Sequence, residues 1–254
     1  DGRNGVVARQ IGCNQQQDAE HHLFSGMLVD EAQGWPEDLQ VIATEGEANV
    51  LAFPQGDGKV RIYLGWSSQE RGLLIGPDGP QRFLDAWRLS CVPHAEAIAN
   101  AQPISPCIAY PNADSWVDHP VRDGVVLIGD AAGRNDPIIG QGLSITHRDV
   151  KYVSSALVEQ STWAPSMFDD YVTERKERMS RLRTVARLTS LRESAFGHDG
   201  KALRRSIHER IAVNPDLAAP FSAGFVGPHN LPEEVFSPEF TTQVVGAPIW
   251  DEHP

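Results

Sequence analysis

The chain has little of several features that would narrow its class at once. Only three cysteines occur among its 254 residues, and no two of them have the C-x-x-C spacing of a zinc or redox site. No histidine pair has metal-ligand spacing on a helix, so we predict no metal. The wide spacing of the cysteines indicates reduced thiols in a cytoplasmic protein rather than a disulfide framework.

Positive charge and long apolar runs are also scarce. Lys and Arg number 22 against 34 Asp and Glu, which gives a formal net charge of −12. This charge argues against broad electrostatic attraction to nucleic acid or to an anionic membrane. No apolar stretch approaches the length of a transmembrane helix, and the first residues show no signal-peptide pattern. We therefore expect neither nucleic acid nor a membrane as a partner.

The most informative segment lies at the middle of the chain. Residues 125–128 are apolar and three of them are β-branched, which predicts a buried central strand of a parallel sheet. Gly129 then allows close backbone approach, and Asp130 places a carboxylate where the strands of open α/β sheets bind ligands. Gly140 and Gly142 leave amide groups uncovered at a predicted helix start, and such a start suits an anion.

This segment resembles the second flavin motif of the FAD-dependent aromatic hydroxylases and related single-component flavin monooxygenases. That motif runs G-D-A-A-H, then a proline, then G-Q-G-x-N, and then an aspartate further into the helix. Gly133 stands where the family often has His, and Ser144 where it often has Asn. The residues that match are Gly129, Asp130, Ala131, Ala132, Pro137, Gly140, Gln141, Gly142 and Asp149.

The first nine residues resemble another motif of the same family, D-G-x-x-S-x-V-R. Asp1 and Gly2 match it, whereas Gly5 replaces the usual Ser and Ala8 the usual Arg. In the family this motif lies near the pyrophosphate and assists nicotinamide nucleotide binding. The resemblance, which is clear over residues 1–160, thus implies FAD as cofactor and NAD(P)H as co-substrate.

The resemblance also implies roles for individual residues. Asp130 would accept hydrogen bonds from the ribityl hydroxyls of the flavin, and the helix start at 140–143 would stabilise the reduced ring. Pro137 would lie beside the face of the flavin on which oxygen forms the C4a-hydroperoxide, and we predict it as the catalytic residue. The predicted cofactor contacts are Asp1, Gly2, Gly129, Asp130, Ala131, Pro137, Gly140, Gln141, Gly142 and Leu143.

The G-x-G-x-x-G dinucleotide fingerprint is absent from the sequence. In the resembling family that fingerprint opens the protein, well ahead of the motif at Asp1. We therefore expect the ADP-binding βαβ unit to lie in a separate chain, to have been cleaved, or to belong to a part of the protein outside this sequence. Activity would require that unit.

Between the two motifs the pattern changes to strands. Alternation with period two predicts four strands, the last two joined as an antiparallel hairpin by a Pro/Gly turn. They lie at 23–29, 39–43, 48–53 and 59–66. In the resembling family this insertion is the substrate domain. Phe53, Tyr63 and Trp66 are its substrate candidates, although core packing is the more frequent role of such residues.

Helical spacing predicts an amphipathic helix over 81–89, a helix from about 140 to 159, and a long helix over about 165–196. The long helix carries a basic run with interleaved glutamates, which indicates a solvated face with i,i+4 ion pairs. That run is Arg175, Lys176, Arg178, Arg181, Arg183, Arg187 and Arg192. The proline-rich remainder predicts short helices and an irregular tail.

The predicted fold class is α/β: part of a Rossmann-like FAD-binding domain, an inserted and mostly antiparallel β-sheet substrate domain, and C-terminal helices. The FAD-binding portions are predicted at 1–13 and 121–160. The substrate domain is predicted at 14–120, and the C-terminal helical region at 161–254.

The resemblance implies an oxidoreductase, namely a FAD-dependent monooxygenase that hydroxylates or epoxidises a small aromatic or polycyclic molecule. It would use NAD(P)H and O2 and act through a flavin C4a-hydroperoxide. One alternative is another flavin enzyme, a halogenase or a reductase, although the W-x-W-x-I-P halogenase motif is absent. Another is a non-catalytic flavin-fold subunit, which the motif departures favour. Histidines are candidate bases by residue type alone: His21, His22, His94, His119 and His147.

Overall fold

The computed structural model describes residue 2 and residues 5–250, which divide into two compact units. The first, which we call the motif unit, consists of Asp1–Ala19, Ala113–Thr189 and Glu209–Pro254. The second, the sheet unit, consists of Glu20–Asn112 and Ser190–His208. The units reflect contacts within the chain, whereas the predicted FAD-binding and substrate domains are functional assignments and stay predictions.

Strands predominate up to Arg134, and α-helices predominate from Gly142 onward. The strands are β1 (Gln16–Gln17), β2 (His22–Asp30), β3 (Val41–Glu45), β4 (Ala48–Gly56), β5 (Lys59–Trp66), β6 (Gln102–Pro103), β7 (Ile108–Asn112), β8 (Ser115–Trp116), β9 (Val121–Arg122), β10 (Val125–Val126) and β11 (Gly133–Arg134). The α-helices are α1 (Val6–Gln10), α2 (Gly79–Asp85), α3 (Ala95–Ala99), α4 (Gly142–Glu159), α5 (Asp169–Glu193), α6 (Gly197–Val213), α7 (Ala223–Val226) and α8 (Pro238–Val245). Short 3₁₀ helices lie at Ser68–Glu70, Gly129–Ala132, Pro137–Ile139, Pro165–Phe168, Pro215–Ser222, Pro228–Asn230 and Glu233–Phe236.

The sheet unit is built on an antiparallel sheet of six strands. Its order is β3-β4-β5-β2-β6, with β7 also pairing with β2. The four strands predicted from alternation are all present, and β4 and β5 form the predicted hairpin. On β5 the residues from Lys59 to Leu64 alternate between half-buried and buried, which is the period expected of a strand with one face on a core.

One face of this sheet packs on α2 and α3. Its core contains Met27 and Ile62 from the strands and Phe83, Trp87 and Ile98 from the helical side, all without solvent exposure. The predicted helix over 81–89 is therefore confirmed as amphipathic, although α2 ends at Asp85. Burial of such large side chains stabilises the unit by about 1.5–3 kcal/mol each.

The strand predicted at 125–128 is wrong in length and direction. Only β10 is extended, and it pairs antiparallel with β9, two residues upstream across the turn at Gly124. Every strand pair in the described part of the chain is antiparallel. An apolar β-branched run indicates that a segment can be buried, but it does not indicate the direction of the neighbouring strand, which decides whether the pair is parallel.

The two long helices of the motif unit are close to prediction. α4 begins at Gly142 and ends at Glu159, and α5 begins at Asp169 after one 3₁₀ turn. The predicted buried side of α5 is confirmed at six positions: Phe168 just before it, then Tyr171, Met179, Leu182, Val185 and Leu188.

The segment 1–13, which is predicted as a portion of the FAD-binding domain, contains α1. Ala8 on this short helix is buried in one cluster with Leu127 and Ala132, which flank the turn at 129–132. The structure thus packs the first motif against the second. Asp1, a predicted cofactor contact, lies outside the described residues.

The tail consists of short helices and turns, as predicted. Arginines of α5 donate hydrogen bonds to its main-chain oxygens. Arg181 donates to the carbonyl oxygens of Pro228 and Leu231, at 3.1 and 3.3 Å. Arg187 donates to Ile249 at 3.2 Å. Across the described residues, the structure holds no helix with the length and apolar character needed to cross a membrane.

Candidate functional site

The segment after β10 forms a tight turn that has a glycine at each end. Gly129 has φ 54° and begins the 3₁₀ turn, and Gly133 ends it with φ 118°. A Cβ on Gly129 would lie 2.9 Å from Oγ1 of Thr146 on α4. The turn therefore needs glycine there both for its backbone angle and for its close approach to the helix.

A buried carboxylate on α4 holds the start of this turn. Asp149 has no solvent exposure, and its Oδ2 accepts the backbone N–H of Gly129 at 2.8 Å. The same oxygen accepts from Nε of Arg175 at 3.0 Å, and Oδ1 accepts from Nη2 of Arg178 at 2.6 Å. Two guanidinium groups thus compensate the charge that burial would otherwise make costly.

Arg175 also holds the rest of the turn through main-chain oxygens. Its Nη1 donates to the carbonyl of Ala132 at 3.0 Å, and its Nη2 donates to those of Gly129 and Gly133 at 3.1 and 3.0 Å. With the bond to Asp149, one side chain makes four hydrogen bonds around a five-residue turn. We call Asp149, Arg175 and Arg178 the arginine clamp.

Neighbouring groups complete the charge balance of the clamp. Glu174 accepts from Nε of Arg178 at 3.0 Å and from Nε of Arg148 at the same distance. Burial lowers the pKa of Arg178, but its hydrogen bonds to Glu174 and Asp149 outweigh burial, so that the pKa lies above its usual value. Tyr171 donates to the carbonyl of Leu127 at 2.7 Å, and burial raises the pKa of its phenol, which stays protonated.

The clamp corrects the interpretation of the basic run on α5 as a solvated face. Arg175 and Arg178 are 3% and 6% exposed, and neither faces solvent. The predicted i,i+4 pairs do exist, at Glu174–Arg178 and Glu177–Arg181. Helical spacing could not identify the buried pair because arginines on a polar helix face look alike until a partner is known. The available signal was Asp149, whose carboxylate needed a cation.

A pocket of about 220 Å³ opens beside the turn. Its lining joins predicted site residues with four that the sequence did not single out. The predicted ones are Asp130, Pro137, Gly140, Gln141 and Gly142, and the additional ones are Arg134, Asn135, Asp136 and Ile145. Asp130 is exposed, in contrast to the buried Asp149. Its carboxylate is therefore free to accept hydrogen bonds from a ligand hydroxyl.

The N-terminus of α4 lies at this pocket without a side-chain cap. Gln141 is the N-cap residue, but its side chain makes no cap bond and instead donates to the carbonyl of Gly224 at 2.9 Å. No heavy atom lies within 4 Å of where a Cβ would stand on Gly140 or Gly142. The first-turn N–H groups of α4 thus have no side-chain cap, and together with the helix dipole they suit a carbonyl or anionic oxygen.

A polar network that the sequence did not reveal supports the loop at 135–137, which lines the pocket. Asp114 accepts from Nδ2 of Asn135 at 3.1 Å and from the N–H of Asp136 at 2.8 Å. Asp136, itself fully buried, accepts the N–H of Ile138 at 3.0 Å. These bonds fix the loop that presents Pro137. Asp114 lies 15 residues before Gly129, the first residue of the motif, and no local pattern links the two.

Two of the departures from the family motifs, at Gly133 and Ala8, have steric causes here. A Cβ on Gly133 would lie 2.5 Å from the carbonyl oxygen of Ser115 and from Cα of Trp116, because β11 pairs with β8 at this point. No His could stand there with this backbone. Ala8 is 4% exposed and packs in the cluster with Leu127, so an arginine would not fit in its place.

The substrate candidates of the sheet unit separate onto two faces. Trp66 is 1% exposed, lies in the core, and donates its indole N–H to the carbonyl of Glu70 at 2.9 Å. It is a core residue, and its selection as a substrate contact is corrected. Phe53 and Tyr63 are half-buried on the opposite face, with ring centroids 6.1 Å apart. Of the candidate bases, His22 is fully buried and lies 3.0 Å from Nδ2 of Asn112.

Comparison with known proteins gives a family and a fold. A family model described as "FAD binding domain" matches residues 1–186. No curated protein shows a significant sequence match to the chain.

Three solved structures illustrate the likeness. The anhydrotetracycline hydroxylase OxyS from Streptomyces rimosus is 18% identical, with TM-score 0.62 over 88% of this chain and 45% of its own. HpxO of Klebsiella pneumoniae, solved with FAD, is 18% identical, with TM-score 0.66 over 89% of this chain and 61% of its own. The flavin-dependent halogenase BrvH from Brevundimonas sp. BAL3 is 12% identical, with TM-score 0.58 over 98% and 48%.

The chain thus spans roughly half the length of the structures it matches. At these identities the likeness establishes the fold. It confirms the predicted class, a portion of a flavin-binding fold with an inserted antiparallel sheet and C-terminal helices.

Proposed function

Because this chain belongs to the family of FAD-binding domains, we propose that it forms part of a FAD-dependent monooxygenase. In this proposal the enzyme hydroxylates or epoxidises a small aromatic or polycyclic molecule, with NAD(P)H as electron donor and O2 as oxidant. The observation that carries the proposal is the pocket of the motif unit, where Asp130 faces an uncapped helix start across a glycine-lined opening.

The residues of this pocket fit a flavin. The exposed carboxylate of Asp130 suits the ribityl hydroxyls, which are hydrogen-bond donors. The N–H groups at Gly142 and Leu143 suit the electron-rich carbonyl edge of the ring, whose negative charge grows on reduction. Gly140 and Gly142 carry no Cβ, so a planar ring can approach their backbone.

When bound, the flavin supplies the redox and oxygen chemistry, and the protein supplies position, charge and a dry site. The arginine clamp keeps Gly129 in place, and thereby the carboxylate of Asp130. The Asp114 network fixes the loop that carries Pro137 at the rim of the pocket. No residue of the described pocket is assigned the role of a catalytic base.

The proposal includes a partner. A separate chain, or a part of the protein outside this sequence, would carry the G-x-G-x-x-G unit that holds the ADP half of FAD. The first motif, which begins with Asp1 and Gly2, would lie near the pyrophosphate and assist NAD(P)H binding. Three free cysteines, Cys13, Cys91 and Cys107, fit a cytoplasmic location.

The first test is a visible absorption spectrum of the protein purified from its native source, with the intact mass of each component. Oxidised-flavin bands, together with NAD(P)H oxidation and oxygen uptake, are expected. A protein that stays colourless with added FAD would contradict flavin binding. Bound flavin that NAD(P)H never reduces would favour a non-catalytic subunit instead.

A variant links the spectrum to the pocket. Asp130→Ala should weaken FAD binding about 10- to 100-fold, the usual effect of losing hydrogen bonds to a charged group. Asp123→Ala removes another exposed carboxylate of the same unit, in the turn between β9 and β10, and is the matched control. Equal FAD affinity for both variants would contradict the assignment of Asp130. Incorporation of bromide or chloride into a substrate would instead identify the halogenase alternative. The flavin-dependent halogenase BrvH has a similar fold.

A further inference from the structure

The pocket of the motif unit contains a cation that the family motif does not specify. Between G-D-A-A-H and G-Q-G that motif gives only a proline, so it leaves residues 134–136 open. Arg134 is the one cationic side chain among the described residues that line the pocket. It is 9% exposed, so water screens its charge little and the charge acts on whatever the pocket holds.

Strand pairing and a neutral side chain hold the guanidinium of Arg134 in place. β11 pairs with β8, which puts Arg134 opposite Ser115. Oγ of Ser115, a fully buried residue, accepts from Nη1 of Arg134 at 3.1 Å and from Nε2 of Gln15 at 3.0 Å. A hydroxyl acceptor carries no charge, so the bond to Ser115 fixes the guanidinium without cancelling its positive charge.

The other charged side chains at the pocket are carboxylates. Asp130 and Asp136 line it, and Asp114 accepts the N–H of Asp136 at 2.8 Å. Asp114 and Asp136 are fully buried, where a charge acts over the longest distance. Without Arg134, an anionic ligand would therefore meet only repulsion from the charged side chains of this pocket.

A reduced flavin is such an anionic ligand, whereas the ring of an oxidised flavin is neutral. Reduction transfers one hydride from NAD(P)H to N5 of the ring and releases NAD(P)+. The electron pair of the hydride enters the ring system, which leaves one negative charge at the N1–C2=O edge. A fixed cation in the pocket consequently stabilises the reduced form more than the oxidised form.

We propose that Arg134 gives this pocket a preference for reduced flavin: its charge makes the protein bind the anionic reduced ring more tightly than the neutral oxidised ring. The inference rests on the proposed function, which assigns the pocket to flavin, and it adds a residue outside the family motif. The start of α4 contributes a partial positive charge, and Arg134 adds a full one. Arg134 acts through space, so it tunes the flavin without being a catalytic residue.

The experiment measures the midpoint potential of the FAD-loaded protein against a reference dye. The difference from free FAD gives the ratio of the affinities for reduced and oxidised FAD, because binding and reduction are linked. The wild-type protein should prefer reduced FAD. Arg134→Gln removes the charge and retains an amide donor for Ser115. It should lower the preference by about 10-fold or more, since a unit charge within about 10 Å has that effect at the effective dielectric of a partly buried site.

Sulfite titration is a second measurement that needs no turnover. Sulfite adds through its sulfur to N5 of oxidised flavin, which leaves a negative charge on the ring and bleaches the visible absorption band. Arg134→Gln should weaken sulfite binding by a factor similar to its effect on the redox preference. Arg134→Lys keeps the charge and should restore most of both effects, which a loss of packing alone would not explain.

The control is Arg122→Gln, which removes another arginine from a strand of the motif unit. Arg122 lies on β9, outside the pocket lining, and donates to the carbonyls of His119 and Val121 at 2.9 and 2.7 Å. The substitution should leave the redox preference and the sulfite affinity unchanged. Circular dichroism confirms that each variant is folded, and the preference of the wild-type protein tests the inference even if Arg134→Gln fails to fold.

Three outcomes would overturn the inference. The first is a wild-type protein that binds oxidised FAD more tightly than reduced FAD. The second is an Arg134→Gln variant that keeps the wild-type preference, and the third is equal weakening of both redox states, which would make Arg134 a structural residue only. Each of these refutes the inference alone, because FAD is bound. A protein that binds no FAD in either state refutes the proposed function, and the inference with it.

Discussion

The arginine clamp yields a sharp prediction for Arg175→Met. The substitution removes the bond to Oδ2 of Asp149 and the donors to three carbonyls of the 129–133 turn. Asp149 keeps one cation, Arg178, while the carbonyls of the buried residues Gly129, Ala132 and Gly133 lose their donors. Breaking a buried ion pair by removing one partner costs about 3–5 kcal/mol. That is a large share of the total stability of a domain, which is about 5–15 kcal/mol.

Burial makes this magnitude far larger than for a surface pair. Arg88 and Glu96 also form an ion pair, but their side chains are 43% and 66% exposed. Such a pair contributes about 0–1 kcal/mol because water already solvates both charges. Arg88→Met should therefore change the free energy of unfolding by less than about 1 kcal/mol.

Urea denaturation followed by circular dichroism measures both effects. Lys176→Met, one residue along α5 and exposed, is the matched control, and we expect it to stay within about 0.5 kcal/mol of the wild-type chain. Arg175→Lys keeps the charge and provides a folded variant should the methionine variant fail to fold. A loss below about 1 kcal/mol for Arg175→Met would refute the clamp as a source of stability.

Two further predictions concern backbone crowding and pH. Gly133→Ala should destabilise the chain by at least about 1–3 kcal/mol, since φ 118° and a contact at 2.5 Å with the backbone of β8 both oppose a Cβ. The control in thermal unfolding is Gly72→Ala, because no atom lies within 4 Å of a Cβ at that position. Equal stability of the two variants would contradict the steric argument. The pKa of Glu45 is lowered to about 2 by hydrogen bonds from the Ser90 hydroxyl and from the N–H groups of Cys91 and Ser90. A lowered pKa gives stability that is present above the unfolded value of 4.5 and is lost as the pH falls through about 2. Glu45→Gln should therefore be less stable than the wild-type chain at pH 7, with a difference that shrinks from about pH 4.5 to pH 2; a difference independent of pH would contradict this assignment.

Sequence patterns predicted the elements whose cause is local. Alternation over residues 59–64 indicates which face of β5 is buried, and helical spacing of the apolar residues of α5 indicates its buried side. Those two predictions are confirmed. The motif at 129–142 also gave the position of a pocket, because glycine and carboxylate positions within one turn are constrained by its backbone.

What the sequence could not predict depends on distant partners. The parallel strand at 125–128 was wrong because strand direction depends on a neighbour that apolar composition does not identify. Arg175 and a solvated arginine have the same helical spacing, and only the contact with Asp149, 26 residues away, separates them. Trp66 and Tyr63 lie on one strand, but register with β4 and β2 decides which of them faces the core.

The bonds from Arg175 to the turn have a consequence for how this pocket can change over evolution. All three go to main-chain oxygens, which every amino acid carries. Residues 130 and 131 can therefore be replaced without loss of a supporting bond, as long as the turn keeps its path. A lineage can thus alter what the pocket recognises by point substitution, while the scaffold that presents those side chains is inherited intact.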